Sequence, residues 1–127
     1  MQSVTVPALD HDAMMEKRFG QKVSPEGRLE RRIVANLIAH MEAKGWKVYA
    51  VDDDDEATLV QDGKAAMELI FNLDDALLTF VNADDDTHGV RLVLGNGIDM
   101  ISDWGFSEGD PDGFRAAMQA FNTEDFA

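Results

Sequence analysis

The stretch LLTFVNADDDTHGVRLVLGNGIDMISDW, residues 77–104, decides the fold. Its apolar residues alternate with polar ones at the two-residue period of a half-buried strand, and two polar segments interrupt the alternation. Three consecutive strands joined by tight turns satisfy this pattern. If the second hairpin used a two-residue Asn96-Gly97 turn, Leu94 would face Asp99 and Leu92 would share a face with Asp103, mixing core and solvent positions. A three-residue Gly95-Asn96-Gly97 loop, with Gly97 at the left-handed bulge position, instead pairs Leu94 with Ile98 and Leu92 with Met100. A connection through residues 83–89 then sets Phe80 opposite Leu92 and Leu78 opposite Leu94.

One face of the meander is therefore Leu78, Phe80, Val90, Leu92, Leu94, Ile98 and Met100, which is a core. The other carries Leu77, Thr79, Val81, Val93 and Ile101, with Arg91 opposite Ile101 and diagonal to Asp99 and Asp103. This second face is too apolar to stand bare. Val81, Arg91, Val93 and Ile101 are expected to meet a covering helix, a partner protein or a second subunit.

Outward from the meander, a helix opens at Ser24 as N-cap, with Pro25 at its first position and Glu26 near the positive end of its dipole. Leu29, Ile33, Val34, Leu37, Ile38 and Met41 recur at the spacing of one buried face, and Lys44 and Gly45 close the helix. Arg28, Arg31 and Arg32 lie opposite, either solvated or paired with the chain's own acids. WKVYAV, residues 46–51, reads as a strand with Trp46, Val48 and Ala50 on one side and Lys47, Tyr49 and Val51 on the other. The carboxylates of residues 52–56 cannot enter a core, so that strand ends at the surface. Asp62 and Gly63 lead into a second helix over KAAMELIFNL, and a third is expected from about Gly113 to Phe121. Residues 1–23 read as a partly ordered arm ahead of a single domain over 24–127. A short helix from Asp10 to Phe19 is the most structure they suggest.

A chain of 127 residues is the size of one domain. It contains no cysteine, which excludes disulfides, thiolate zinc sites and cysteine nucleophiles. No segment has the form of a signal peptide or a bilayer span, so a soluble, cytoplasmic protein is expected. The net charge is −14, and it is segregated: residues 1–46 carry seven Lys/Arg against six Asp/Glu, and residues 47–127 four against nineteen. Such a field keeps a protein soluble, repels nucleic acid and anionic membrane, and speeds encounter with a basic partner.

The carboxylate runs invite a metal reading that the spacing does not sustain. Asp52, Asp54 and Glu56 have the spacing of a calcium loop, but Ala57 stands where the loop needs glycine and Gly63 where it needs a bidentate glutamate. Glu108, Asp110, Asp112 and Gly113 begin a second such loop, yet Gln119 occupies its twelfth position. No metal or cofactor is assigned. His11, His40 and His88 have no ligand or triad spacing, His88 is placed in a turn, and Ser102 beside Asp103 has no elbow or base, so no catalytic residue is assigned either. The LGNG segment, 94–97, is followed by a strand rather than a helix N-terminus, and its glycines belong to the hairpin. What remains is the row Asp52, Asp53, Asp54, Asp55 and Glu56 and the row Asp84, Asp85 and Asp86, closely spaced charge that can imitate a phosphate backbone.

The segments ERRIVANLIAHMEAKGWKVYAVDD, AAMELIFNLDDALLTF and HGVRLVLGNGIDMISDW are similar to a group of small hypothetical proteins encoded on plasmids, integrative elements and prophages of proteobacteria. The resemblance covers roughly residues 28–104. It transfers no catalytic residue, but it implies a setting in which small acidic proteins inhibit host defence or regulate the element's own transfer. The expectation is an α+β domain in the order α-β-α-β-β-β-α, with about four antiparallel strands and helices on one face. Its expected function is non-enzymatic: binding of a basic protein, one that itself binds nucleic acid, by an acidic nucleic-acid mimic or inhibitor. The alternatives are a carboxylate and divalent-metal hydrolase, or a dimeric structural subunit.

Overall fold

The computed structural model describes residues 25–53 and 55–126. The amino-terminal arm with its expected short helix, the Ser24 cap and Asp54 lie outside the described residues. Helix α1 (Pro25–Ala43) is followed by β1 (Lys47–Asp52), β2 (Ala57–Leu59), α2 (Gly63–Ile70), β3 (Asp75–Val81), β4 (Thr87–Val93), a 3-10 turn (Gly97–Asp99), β5 (Ile101–Trp104), α3 (Phe114–Gln119) and a second 3-10 turn (Thr123–Phe126). The strands form one open antiparallel sheet in the order β2-β1-β3-β4-β5. This is the expected α+β architecture with one strand more.

The helices are set by their ends and their stripes. Ile33, Val34, Leu37, Ile38 and Met41 of α1 are buried at the expected helical spacing. Gly45, at φ 90, turns the chain out of α1 so that the Trp46 amide returns to the Met41 carbonyl and the indole enters the core. Asp62 caps α2 by accepting from the Ala65 amide at 2.9 Å. Asp110 serves α3 in the same way, each carboxylate oxygen accepting one amide, from Arg115 at 2.9 Å and Ala116 at 3.0 Å. Side chains from all three described helices join Val48, Val51, Leu78, Phe80, Val90, Leu92 and Met100 in one core. Arg31, expected opposite the apolar stripe, is buried, donates to the Gly27 carbonyl and lies over the Phe71 ring at 4.6 Å.

The strand registers differ from expectation in three places, each for a local reason. The β3–β4 hairpin pairs Phe80 with His88 and Leu78 with Val90, not Phe80 with Leu92. Its turn is only residues 82–86. The Asn82 side-chain carbonyl accepts from the amides of Asp84 and Asp86, and Asp85 takes the left-handed conformation at φ 64. His88 and Gly89 therefore belong to β4 and not to the turn. The slip is by an even number of residues, so every side chain keeps its face.

In β1, Tyr49 bulges out between Val48, opposite Phe80, and Ala50, opposite Thr79. The bulge inverts the alternation, and Val51, expected outside, is a core residue opposite Leu78. In the last hairpin the Gly97–Asp99 turn uses residues expected to open the strand, and a second bulge falls between Arg91 and Leu92. Leu92 faces Ile101 and Arg91 faces Asp103. Ile101 thus packs toward the helices instead of joining Val81 and Val93, and Leu94 and Ile98 are half-buried where full burial was expected.

Candidate functional site

All three helices contribute to the same core, which leaves the opposite face of the sheet without a covering element among the described residues. The registers place Ala57, Asp52, Leu77, Arg91 and Asp103 in one row across the five strands on that face. Asp75 and Val93 lie beyond the row at its outer end. Ala50, Thr79 and Gly89 follow on the inner side, and Lys47, Val81 and Thr87 come last. Leu77 lies so closely over Gly89 that a Cβ there would stand 2.8 Å from its Cδ1, so the leucine occupies the middle of the face at the acidic end.

Asp52, Asp53, Asp55, Glu56, Ala57, Leu77 and Arg91 line one depression at this end. Its cation is already engaged. The Arg91 Nη1 lies 3.3 Å from Asp75 Oδ2 and stands opposite Asp103 across the β4–β5 pairing. Both partners of the Arg91–Asp75 pair are about half exposed, so the pair positions the guanidinium more than it stabilises the fold. The carboxylates of Asp52, Asp55 and Glu56 are left on the rim. Asp53 instead holds the β1–β2 turn, its Oδ1 accepting from the amides of Asp55 and Glu56, both at 2.8 Å. Those bonds, Glu56 first and then Asp55, keep its carboxyl below the usual carboxylate range.

The second expected acidic row does not join the first. Asp84, Asp85 and Asp86 sit in the turn at the other end of β3, and most of the length of that strand, roughly 17 Å at about 3.4 Å per residue, separates them from the Asp52 end. Val81 is at their end and Val93 at the Asp52 end, so the expected partner face of Val81, Arg91 and Val93 spans the whole sheet, with Ile101 removed to the helical side. The added edge strand β2 was not expected, and all three of its residues are exposed.

Two constellations emerge that the sequence did not assign. His88 faces the core from β4, its ring 4.7 Å from that of Phe114 and 5.6 Å from that of Trp46, and its Nε2 lies 2.6 Å from Asp112 Oδ2. Burial works to raise the Asp112 carboxyl, but the hydrogen bond from His88, the amide of Phe114 and the imidazole's charge outweigh it and hold the group below its ordinary value. Asp110 and Asp112, the central pair of the would-be calcium loop, are thereby directed to the start of α3 and to His88. His40 donates through Nε2 to the Ala117 carbonyl at 2.8 Å, which ties α1 to α3.

The second constellation is Glu30. It is buried, and its carboxylate accepts from the amides of Gly95 (2.8 and 3.1 Å) and Gly97 (2.8 Å). Gly95 and Gly97 have φ of 97 and 59. Their amides thus converge on an anion that the chain supplies itself. A signal was available in the sequence, because Glu30 occupies the stripe of Ile33, Leu37 and Met41, where a charge needs a buried partner.

Comparison of the chain with protein-family models, with curated proteins and with solved structures finds no match. Among the described residues no helix is long and apolar enough to cross a membrane, and no group of three or more His, Cys, Asp or Glu side chains could hold a metal ion.

Proposed function

We propose that this chain is a non-enzymatic, cytoplasmic interaction protein of a mobile genetic element that binds a basic protein through the acidic end of the sheet face opposite the helices. One observation carries the reading: Asp52, Asp55 and Glu56 are brought to the rim of a depression whose floor includes the apolar side chain of Leu77. Charge around an apolar centre is the usual anatomy of a protein interface, with the rim steering encounter and the centre supplying burial. A protein that ordinarily holds nucleic acid presents the cationic surface this rim complements, so the acidic end acts as a nucleic-acid mimic toward it. The mobile-element setting is part of the proposal and follows the resemblance read from the sequence of residues 28–104.

The test is affinity capture from a proteobacterial extract at low and moderate salt, with the unaltered chain and with a variant carrying Asp52→Asn, Asp55→Asn and Glu56→Gln. Asp53 is left intact because its carboxylate holds the turn. The expected result is a basic protein retained by the unaltered chain at low salt, released as salt rises and absent from the variant. Equal retention by both chains would overturn the proposal.

A further inference from the structure

The grip of Glu30 on the 95–97 loop bears on a reaction available to the chain itself. Asn96 is followed by glycine, the neighbour that least hinders attack on an asparagine side chain. In that reaction the deprotonated backbone nitrogen of Gly97 bonds to the Asn96 side-chain carbonyl carbon, the carbon–nitrogen bond of the side-chain amide breaks, and ammonia leaves. The product is a five-membered succinimide. Water then adds to either ring carbonyl and opens the ring to aspartate or isoaspartate. No oxidant, reductant or partner is needed.

The native loop opposes both requirements of the first step. The Gly97 amide is buried and donates its proton to Glu30 Oε2 at 2.8 Å, so the nucleophile stays protonated beside a carboxylate. Asn96 has φ −101 and ψ 3. Ring closure needs the Gly97 nitrogen nearly eclipsed with the Asn96 Cβ about the Cα–C bond, and tetrahedral geometry at Cα puts them far from eclipsed at that ψ. The Asn96 residue itself is exposed, so water and base reach the side chain freely. Reaction therefore waits on the backbone and not on access.

We infer that Asn96 is a latent site of spontaneous deamidation, closed by the hold of Glu30 on Gly95 and Gly97 and opened when α1 and the hairpin separate. Conversion is self-sealing. It adds a negative charge at the residue between the two glycines that Glu30 holds, and the isoaspartyl form adds a backbone atom to a loop whose flanking glycines are both left-handed. The isoaspartyl form cannot restore the same backbone path between the two amides, so the modification records that the contact has opened.

The experiment incubates the purified chain in mildly alkaline buffer, native and in urea, and follows conversion at each asparagine by peptide mapping with mass spectrometry. Asn36, Asn72, Asn82 and Asn122, none followed by glycine, are internal references. Native Asn96 is expected to convert slower than unfolded Asn96 by about tenfold or more, and folded Glu30→Ala to convert about tenfold faster than the native unaltered chain. Glu30→Gln, which keeps an acceptor but no charge, should fall between them and decides the matter if Glu30→Ala does not fold. Equal native and urea rates in the unaltered chain would overturn the inference. So would protection undiminished in whichever of the two variants is folded.

Discussion

Removing the Glu30 carboxylate should cost this fold more than removing any exposed acid. In Glu30→Ala the Gly97 amide stays buried and loses its acceptor, a loss of about 1–3 kcal/mol for an unsatisfied donor. The Gly95 amide lies at an exposed residue and can turn to water, which limits its share to the lower part of that range. The one buried methylene that is lost, Cγ, adds about 0.8 kcal/mol. The sum is roughly 3–5 kcal/mol, a large fraction of the 5–15 kcal/mol typical of a domain. Glu30→Gln should cost less, about 1 kcal/mol, because a neutral oxygen still accepts while the charge-assisted part of the bond is lost. Urea unfolding followed by the fluorescence of Trp46 and Trp104 measures both. A loss below about 0.5 kcal/mol for Glu30→Ala, within the range of an ordinary surface substitution, would refute the argument.

Three further expectations follow from the same contacts. The folded-state carboxyl of Asp112 titrates below its unfolded value near 3.9, so the stability it contributes is present above that pH and is lost as pH falls through the folded value. Urea midpoints taken from neutral pH into acid should therefore fall further for the unaltered chain than for Asp112→Asn, and parallel curves would contradict this. Phe114→Ala removes a fully buried ring that meets Trp46 at 4.9 Å and His88 at 4.7 Å, and should cost about 3–5 kcal/mol with loss of near-ultraviolet dichroism from tryptophan. Asn82→Ala frees the amides of Asp84 and Asp86 at an exposed turn and should cost only about 1 kcal/mol, read as a small shift in urea midpoint.

What the sequence made legible is what repeats along it. The stripe of α1, the Gly45 stop and the alternation of β3 and β4 all survive, because periodicity depends on burial and an even slip of the hairpin leaves burial unchanged. Features that depend on a single contact were hidden. Tyr49 and the second bulge in the last hairpin each break the two-residue period, and nothing in the adjacent residues announces either. The edge strand β2 is three exposed residues with no buried face to betray it. The 95–97 loop looked like a simple hairpin because its true partner, Glu30, is distant in sequence, and His88 looked like a turn residue until Asn82 shortened the turn. At the candidate site, the charge of residues 52–56 was evident, whereas its meeting with Leu77 and Arg91 required the register.

The most direct measurement of the acidic-end proposal is the salt dependence of the affinity between this chain and the captured basic protein, for the unaltered chain and for the Asp52→Asn, Asp55→Asn, Glu56→Gln variant. The unaltered chain should bind with an affinity that falls steeply as salt rises, and the variant should bind more weakly at low salt with a flatter dependence. Identical affinities and identical slopes for the two chains would contradict it.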